Sequence, residues 1–204
     1  VEQIIASHNE VSGAGELIYL EHTIQNIFFG SFNLNKQKII EEGLAQENIL
    51  ESEYLKLLNF HNFGSKKITD KAPQNFRWIG FIRIFFPNSK IIHCSRNPKD
   101  NCLSVFKNSF GSDHMRWSYS QKDIANYYNL YAEMMNFWRT KFQNSIYELK
   151  YENLVNNSEE EIKKLVNFCG LEWDPNCLKF HENKKTPIKT VSIAQARKPI
   201  YKSS

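Results

Sequence analysis

The stretch KIIHCSRNPKDNCLSVFKN, residues 90–108, decides the fold of this chain. Its first part, Lys90–Ser95, is short, apolar and β-branched, which predicts a buried strand. Asn97 and Pro98 then predict a helix start, because asparagine is a favoured cap and proline suits the first helical position. Arg96 lies at the junction. A strand that runs directly into a helix indicates an α/β fold with a parallel sheet.

The rest of the chain continues this alternation of strands and helices. Two further strands are predicted, at Lys67–Thr69 and from Ser145 to about Tyr151. Apolar spacing predicts helices from Val1 to about Asn9, over Gln74–Phe86 and after Ser120. It also predicts a helical stretch from about Asn35 to Asn59, as two helices broken near Gly43. We therefore expect a parallel sheet flanked by helices, forming a single domain over residues 1–204.

Two helix starts carry capping signals. Ser120 is followed three residues later by Asp123, which is a capping signature, and Ser158 is followed by Glu161, which is the pattern of a capping box. Gly170 is the predicted stop of the second of these helices.

Composition limits the classes of function. The chain has 204 residues, 41% of them hydrophobic and 24% charged, which is typical of one globular domain. The net charge of +4 suits a small anionic ligand. The basic residues do not form one block with interleaved aromatics, so no nucleic-acid groove is expected, and no apolar run is long enough for a membrane span.

Cysteines and histidines indicate neither disulfides nor a metal. The four cysteines, Cys94, Cys102, Cys169 and Cys177, contain no CxxC pair, and Cys94 and Cys169 lie in segments predicted to be buried. This usage favours reduced thiols and a reducing compartment. The six histidines show no HxxxH or HExxH spacing, so no metal site is expected.

Arg96 and Ser104 are candidates for a phosphate site. The helix after the strand is expected to present unbonded amides at its start and to bury Cys102, Val105 and Phe106. A guanidinium beside such amides suits phosphate oxygens, and the Ser104 hydroxyl adds a donor. The alternative is that Arg96 pairs with a carboxylate such as Asp100 and that Ser104 is only a small helix residue.

Two loop residues are candidates for the chemistry of a group transfer. Lys71, in TDKAPQNF, follows a strand and could stabilise negative charge that develops on a transferring group. Glu16, in GAGEL, lies among small residues and could act as a general base. The alternatives are an exposed loop lysine and a solvated loop acid.

Six stretches together resemble one superfamily, the sulfotransferases that use 3'-phosphoadenosine-5'-phosphosulfate. The chain looks closest to the bacterial tetratricopeptide-linked sulfotransferases and the tyrosylprotein sulfotransferases. The stretches that carry the resemblance, in chain order, are EQIIASHNEVSGAGEL (2–17), TDKAPQNF (69–76), FPNSKIIHCSRNPKDNCLSVFKNSF (86–110), YYNLYAEMMNFW (127–138), YENLV (151–155) and TVSIAQARKPIY (190–201).

The resemblance implies a fold and a reaction. The fold is that of the P-loop nucleoside triphosphate hydrolases in its sulfotransferase form. The reaction moves a sulfuryl group to an acceptor hydroxyl, a peptide tyrosine among the candidates, and yields adenosine 3',5'-bisphosphate without a metal. The resemblance also implies tetratricopeptide repeats upstream and a bacterial-type cytoplasmic location in preference to the Golgi lumen.

Site residues follow from matching positions. The resemblance makes Glu16 the base that takes the acceptor proton and places Lys71 near the transferring sulfuryl group. It assigns cofactor binding to a set of polar residues, namely Arg96 and Ser104 at the 3'-phosphate, Tyr151 beside the adenosine, and Ser192, Arg197 and Lys198 in a C-terminal segment over the phosphates.

One feature of the family has no counterpart here. Its glycine-rich P-R-S-G-T-T loop precedes the helix in which this sequence begins. We therefore expect an N-terminally truncated domain that lacks its first strand and its 5'-phosphosulfate loop, and that is inactive alone. Two alternatives are a nucleotide-binding module without transfer activity and a P-loop nucleotide kinase. Against the kinase, Arg96 and Asn97 stand after the strand where a magnesium-holding aspartate would be needed.

Overall fold

A computed structural model describes residues 1–29, 47–111, 113–183 and 198–200. Part of the helical stretch predicted from about Asn35 to Asn59, including the predicted break near Gly43, lies outside the described residues. Ser192 and Arg197 also lie outside them. The chain divides into two compact units. Unit 1 comprises Val1–Ser89 and Ser158–Ser204, and unit 2 comprises Lys90–Asn157.

Helices dominate the described residues and connect four short strands. The strands are β1 (Val11–Gly13), β2 (Lys67–Thr69), β3 (Ile91–Ser95) and β4 (Ile146–Lys150). The α-helices are α1 (Glu2–Ile5), α2 (Tyr19–Ile24), α3 (Glu47–Asn59), α4 (Ile79–Phe85), α5 (Pro98–Lys107), α6 (Gln121–Lys141), α7 (Tyr151–Asn156) and α8 (Ser158–Phe168). A π-helical turn (Gln25–Phe29) and three 3₁₀ segments (Pro73–Trp78, Asp113–Tyr119 and Pro175–Glu182) complete the described elements.

Each unit contains one pair of parallel strands. In unit 1, β1 pairs with β2 in the register that places Val11 opposite Lys67. In unit 2, β3 pairs with β4 in the register that places His93 opposite Glu148. Helical segments connect the strands of each pair, so the predicted α/β class with parallel pairing is confirmed.

Apolar faces of the helices form the core of unit 1. The largest buried side chains come from α2, α3 and α8, and include Leu20, Ile24, Leu50, Ile162 and Leu165. Gly170 ends α8 with φ of +64°, a conformation that glycine adopts without strain. In unit 2 the predicted cap of α6 is present, since the Ser120 side chain accepts a hydrogen bond from the Asp123 amide.

Two predicted helices have different bounds. Gln74–Phe86 divides into the 3₁₀ segment Pro73–Trp78 and α4, because Trp78 has the non-helical ψ of 8°. The first helix was expected to reach about Asn9 but ends at Ile5. His8 accounts for this early end, since its Nδ1 accepts from the Glu10 amide and its Nε2 lies 2.8 Å from the Glu172 carbonyl oxygen.

Burial in unit 2 is lower than the sequence predicts. The exposed fraction of Phe106 is 40%, and Ser104 and Cys94 are also exposed. Helix α5 has no fully buried residue. A sheet of two strands offers little surface for an amphipathic helix to cover, so the expectation of a buried Phe106 and a buried Cys94 was wrong.

A polar network joins both strands of unit 2 to α6. His93 is buried, with Nδ1 2.6 Å from Glu148 Oε2 and Nε2 2.5 Å from the Tyr131 hydroxyl. Arg139 Nε donates to Glu148 Oε1 over 2.8 Å. Burial opposes ionisation of Glu148, but the hydrogen bonds from His93 and Arg139 lower its pKa to about 2. Burial raises the pKa of Tyr131 to about 12.

A hydrogen-bonded pair connects Asp70, the residue after β2, to α3 in unit 1. The Tyr54 hydroxyl donates to Asp70 Oδ2 over 2.8 Å. Burial raises the pKa of Asp70 to about 6, against the opposing hydrogen bond from Tyr54 and with the aid of the nearby Glu2 carboxylate. Burial and the Asp70 charge also raise the pKa of Tyr54. An ionised Asp70 is therefore costly to this unit at neutral pH.

We predict that Glu148→Gln lowers the free energy of unfolding at pH 7 by about 1 kcal/mol, a value discounted because this carboxylate is over a third exposed. The folded pKa lies below the ordinary value of 4.5, so this stability is present above pH 4.5 and is lost as the pH falls toward 2. Urea unfolding followed by tryptophan fluorescence measures the free energy of unfolding of both proteins at pH 7, 4 and 3. Glu133→Gln, on the exposed side of α6, is the control. A difference that stays constant over this pH range contradicts the prediction.

We predict the opposite trend for Asp70→Asn. The folded pKa of about 6 exceeds the ordinary value of 3.8, so the contribution of Asp70 to stability is full below pH 3.8 and is lost as the pH rises through 6. Asparagine retains an acceptor for Tyr54 without the charge. The free energy of unfolding of the variant, relative to that of the native chain, should rise by about 2 kcal/mol between pH 4 and pH 7.5. The same unfolding assay tests this, with Glu51→Gln, exposed on α3, as control. Parallel stability curves for variant and native chain would refute it.

Candidate functional site

The structure brings Glu16 and Lys71 together in unit 1. Lys71 Nζ lies 2.7 Å from Glu16 Oε2, and the two side chains are 35% and 40% exposed. The sequence predicted a chemical role for each residue separately. Their ion pair places a carboxylate and an ammonium in one solvent-accessible location.

The parallel pairing of β1 with β2 explains this contact. Backbone bonds continue past both strands, since the Ala14 amide donates to the Thr69 carbonyl over 3.0 Å and the Lys71 amide to the Gly15 carbonyl over 2.9 Å. Gly15 has φ of +78°, which glycine adopts readily. The residues that follow the two strands are therefore held side by side, and the Glu16 and Lys71 side chains meet.

The second pair of strands brings Arg96 and Tyr151 together in unit 2. Ser95 and Lys150 are opposite each other at the ends of β3 and β4, and Arg96 and Tyr151 are the next residues. The Arg96 Cζ atom lies 4.9 Å from the centroid of the Tyr151 ring. This cation–π contact orients the planar guanidinium at the carboxyl end of the strand pair, where ligands bind in open α/β sheets.

Bonds within the protein already use amides at the start of α5. The Asn97 side chain accepts from the Lys99 amide over 2.9 Å, which confirms the predicted cap. The Asn97 amide donates to Glu152 Oε1 over 2.8 Å. This backbone bond is the main reason that the pKa of Glu152 is lowered, and the Arg96 charge contributes. The expectation of unbonded first amides was wrong for Lys99, so Arg96 carries the greater part of any attraction for an anion.

Of the four other residues predicted to bind the cofactor, the structure describes two, Ser104 and Lys198. Ser104 lies on the second turn of α5 and is exposed. Lys198 is exposed, and Ser192 and Arg197 lie outside the described residues. The structure thus brings together Glu16 with Lys71 and Arg96 with Tyr151, each pair within one unit.

Sequence reasoning missed the carboxylates that hold backbone amides near these residues. Glu2 Oε1 accepts from the Gly15 amide over 2.6 Å, and Glu152 accepts from Asn97. Glu152 lies in the YENLV stretch, so its place after a predicted strand was the available signal. Glu2 gave no such signal, because its partner is thirteen residues away in a loop.

The described residues contain neither a cluster of metal-ligating side chains nor a helix suited to span a membrane. Over the ranges that the structure covers, no group of three or more His, Cys, Asp and Glu side chains could hold a metal ion. Among the helices whose residues are described, none combines the length and the apolar character needed to cross a bilayer.

Comparison with known proteins identifies the family of this chain. A family model described as "Sulfotransferase family" matches residues 1–175. An uncharacterized protein of Aquifex aeolicus (strain VF5) is 35% identical over 211 residues, which cover all of this chain and 28% of that protein. A Caenorhabditis briggsae protein with the name "Putative protein-tyrosine sulfotransferase" is 23% identical over 143 residues, which cover 69% of this chain and 51% of that protein. The chain thus spans about half, or less, of the length of these relatives.

A solved structure supports the fold. The sulfotransferase domain from the curacin biosynthetic pathway matches with a TM-score of 0.58 over 98% of this chain and 77% of that chain, at 13% identity. This likeness confirms the predicted P-loop-like sulfotransferase fold. Because the family model covers most of the chain, the chain belongs to the sulfotransferase family.

Proposed function

We propose that this protein transfers a sulfuryl group from 3'-phosphoadenosine-5'-phosphosulfate to an acceptor hydroxyl. Membership of the sulfotransferase family supports the class of reaction. The observation that carries the choice of donor is the Arg96 guanidinium held over the Tyr151 ring at the end of paired strands.

The residues present fit such a donor chemically. The 3'-phosphate is a compact anion, and a guanidinium binds phosphate oxygens through parallel N–H groups. An aromatic ring beside it suits the adenosine. We assign Arg96 and Ser104 to the 3'-phosphate and Tyr151 to the adenosine. On the resemblance of the sequence, we also assign Ser192, Arg197 and Lys198 to the phosphates.

Glu16 and Lys71 supply the proton transfer and the charge compensation. The donor supplies the sulfuryl group and leaves as adenosine 3',5'-bisphosphate. As the acceptor oxygen bonds to sulfur, the bond from sulfur to the bridging phosphate oxygen breaks. Glu16 takes the acceptor proton as general base, and Lys71 offsets the charge on the leaving phosphate oxygen. The protein acts mainly by positioning the reactants, as in phosphoryl transfer.

We propose a peptide tyrosine as the first acceptor to test. The name of the C. briggsae relative supports this choice. Sugar hydroxyls and small phenols are the comparison acceptors, and incorporation of labelled sulfate into each ranks them.

The thiols support a reducing compartment, which we propose is the cytoplasm of a bacterial-type cell. None of the four cysteines forms a disulfide, and Cys169 and Cys177 are buried. Burial raises the pKa of Cys177 to about 11, so this thiol stays protonated and unreactive at neutral pH.

Arg96→Ala and Ser104→Ala should both weaken binding of adenosine 3',5'-bisphosphate to the full chain. The arginine variant should lose about 10- to 100-fold in affinity and the serine variant less than about 10-fold, because a charge-assisted contact exceeds a neutral one. Titration calorimetry measures both. Lys107→Ala, at the far end of α5, is the control cation. Native affinity in Arg96→Ala would remove the nucleotide assignment.

Glu16→Gln should keep the affinity for adenosine 3',5'-bisphosphate and lower turnover by about 10²- to 10⁴-fold, the usual contribution of a general base. Single-turnover transfer of labelled sulfate measures the chemical step. Glu51→Gln, a change at an exposed carboxylate on α3, should leave the rate unaltered. Intact turnover in Glu16→Gln means that another group takes the proton.

Two other functions make different predictions for the same protein. A P-loop kinase would prefer ATP with magnesium over adenosine 3',5'-bisphosphate in the binding assay. A binding module would retain the nucleotide and transfer no sulfate to any acceptor. Tight nucleotide binding without transfer would therefore replace the proposed reaction with the module.

A further inference from the structure

Gly15 is hydrogen-bonded through both its backbone N–H and its backbone carbonyl, and the two bonds reach different parts of unit 1. Its N–H donates to Glu2 Oε1 over 2.6 Å. Its carbonyl accepts from the Lys71 amide over 2.9 Å. Gly15 precedes Glu16 directly and has φ of +78°. The N–H belongs to the peptide group that joins Ala14 to Gly15, and the carbonyl to the one that joins Gly15 to Glu16. Because glycine has wide conformational freedom, these two bonds restrict the backbone on both sides of its Cα atom.

The Glu2 carboxylate also contacts the second segment. Thr69 Oγ1 lies 3.5 Å from Glu2 Oε1, at the end of β2 and two residues before Lys71. Glu2 begins α1, whose next three residues, Gln3, Ile4 and Ile5, are buried. The carboxylate is thus held by a packed helix while it contacts the two segments that carry Glu16 and Lys71.

We propose that Glu2 is a positioning residue for the pair formed by Glu16 and Lys71, an inference that rests on the proposed function. Glu2 holds the peptide group that joins Ala14 to Gly15, and the orientation of this group helps to set the direction in which the chain continues to Glu16. The next peptide group, which joins Gly15 to Glu16, accepts from the Lys71 amide, so Glu2 acts on the backbone segment to which Lys71 is bonded. Glu2 is not a catalytic residue, because its carboxylate contacts the Gly15 amide and the Thr69 hydroxyl.

The expected consequence is loss of rate with little loss of binding. Misplacement of a catalytic group by about 1 Å can lower a rate by about 10²-fold. Glu2→Ala removes the acceptor for the Gly15 amide and should lower kcat by about 10- to 100-fold with KM unchanged. Glu2→Gln keeps a side-chain oxygen that can accept the same bond, and should restore most of the rate. Glu10→Gln is the matched control, since Glu10 is a carboxylate of the same unit that pairs with Lys66 on the surface.

A double variant separates positioning from general damage to the fold. If Glu2 acts only through Glu16, Glu2→Ala should add nothing to the loss already caused by Glu16→Gln. A general weakening of the unit would lower the rate of the double variant further. Additive losses would therefore overturn the proposal.

A chemical readout makes the inference independent of turnover. Acetic anhydride labelling, read by mass spectrometry, reports how readily each lysine reacts. Glu2→Ala should raise labelling of Lys71 several-fold by loosening its pairing with Glu16, and Glu10→Gln should raise labelling of Lys66 alone. If the native full chain transfers no sulfate, the proposed function is wrong and the Lys71 labelling alone decides the role of Glu2. Unchanged labelling of Lys71 in Glu2→Ala would overturn it.

Discussion

Parallel strand pairing is the constraint on which both groups of candidate residues depend. Parallel strands end at the same edge, so the residues that follow them become neighbours whatever their separation in sequence. Lys71 thereby lies beside Glu16, and Tyr151 beside Arg96, although 55 residues separate the two members of each pair. The same rule operates twice, once in each unit.

A carboxylate stabilises the backbone after a strand in both units. Glu2 accepts from Gly15 after β1, and Glu152 accepts from Asn97 after β3. Both hydrogen bonds are charge-assisted, but the two carboxylates differ in their exposure to water. Glu2 is half-buried, whereas Glu152 is exposed, and water competes for an exposed bond. We therefore expect the loop of Glu16 to be fixed more firmly by its carboxylate than the start of α5.

The sequence predicted local structure better than it predicted partners. Strand β2 has the predicted bounds, and the caps at Asn97 and Ser120 are present, because each depends on side chains within a few residues. The contact of Glu16 with Lys71 was not predicted, since it requires the register of β1 against β2. Polar contacts across strands leave no local pattern in the sequence.

Burial was predicted least well from the sequence, because it also depends on contacts between segments that are distant in the chain. The network of His93, Glu148 and Arg139 exists because the register places His93 opposite Glu148. The apolar sequence of β3 predicts burial along the whole strand, yet Cys94 is exposed whereas the neighbouring His93 is buried. Alternation along a strand decides burial only when the covered face is known.

The ion pair of Glu16 with Lys71 is compatible with both of its proposed roles. A carboxylate has two oxygens that accept hydrogen bonds, and an ammonium has three donors. Their contact uses Oε2 of the first and one N–H of the second. By valence, one carboxylate oxygen can still take a proton and two ammonium donors can still meet phosphate oxygens. The contact with Lys71 therefore orients Glu16 and leaves both groups able to act, and the two backbone bonds at Gly15 help to decide where the remaining carboxylate oxygen lies.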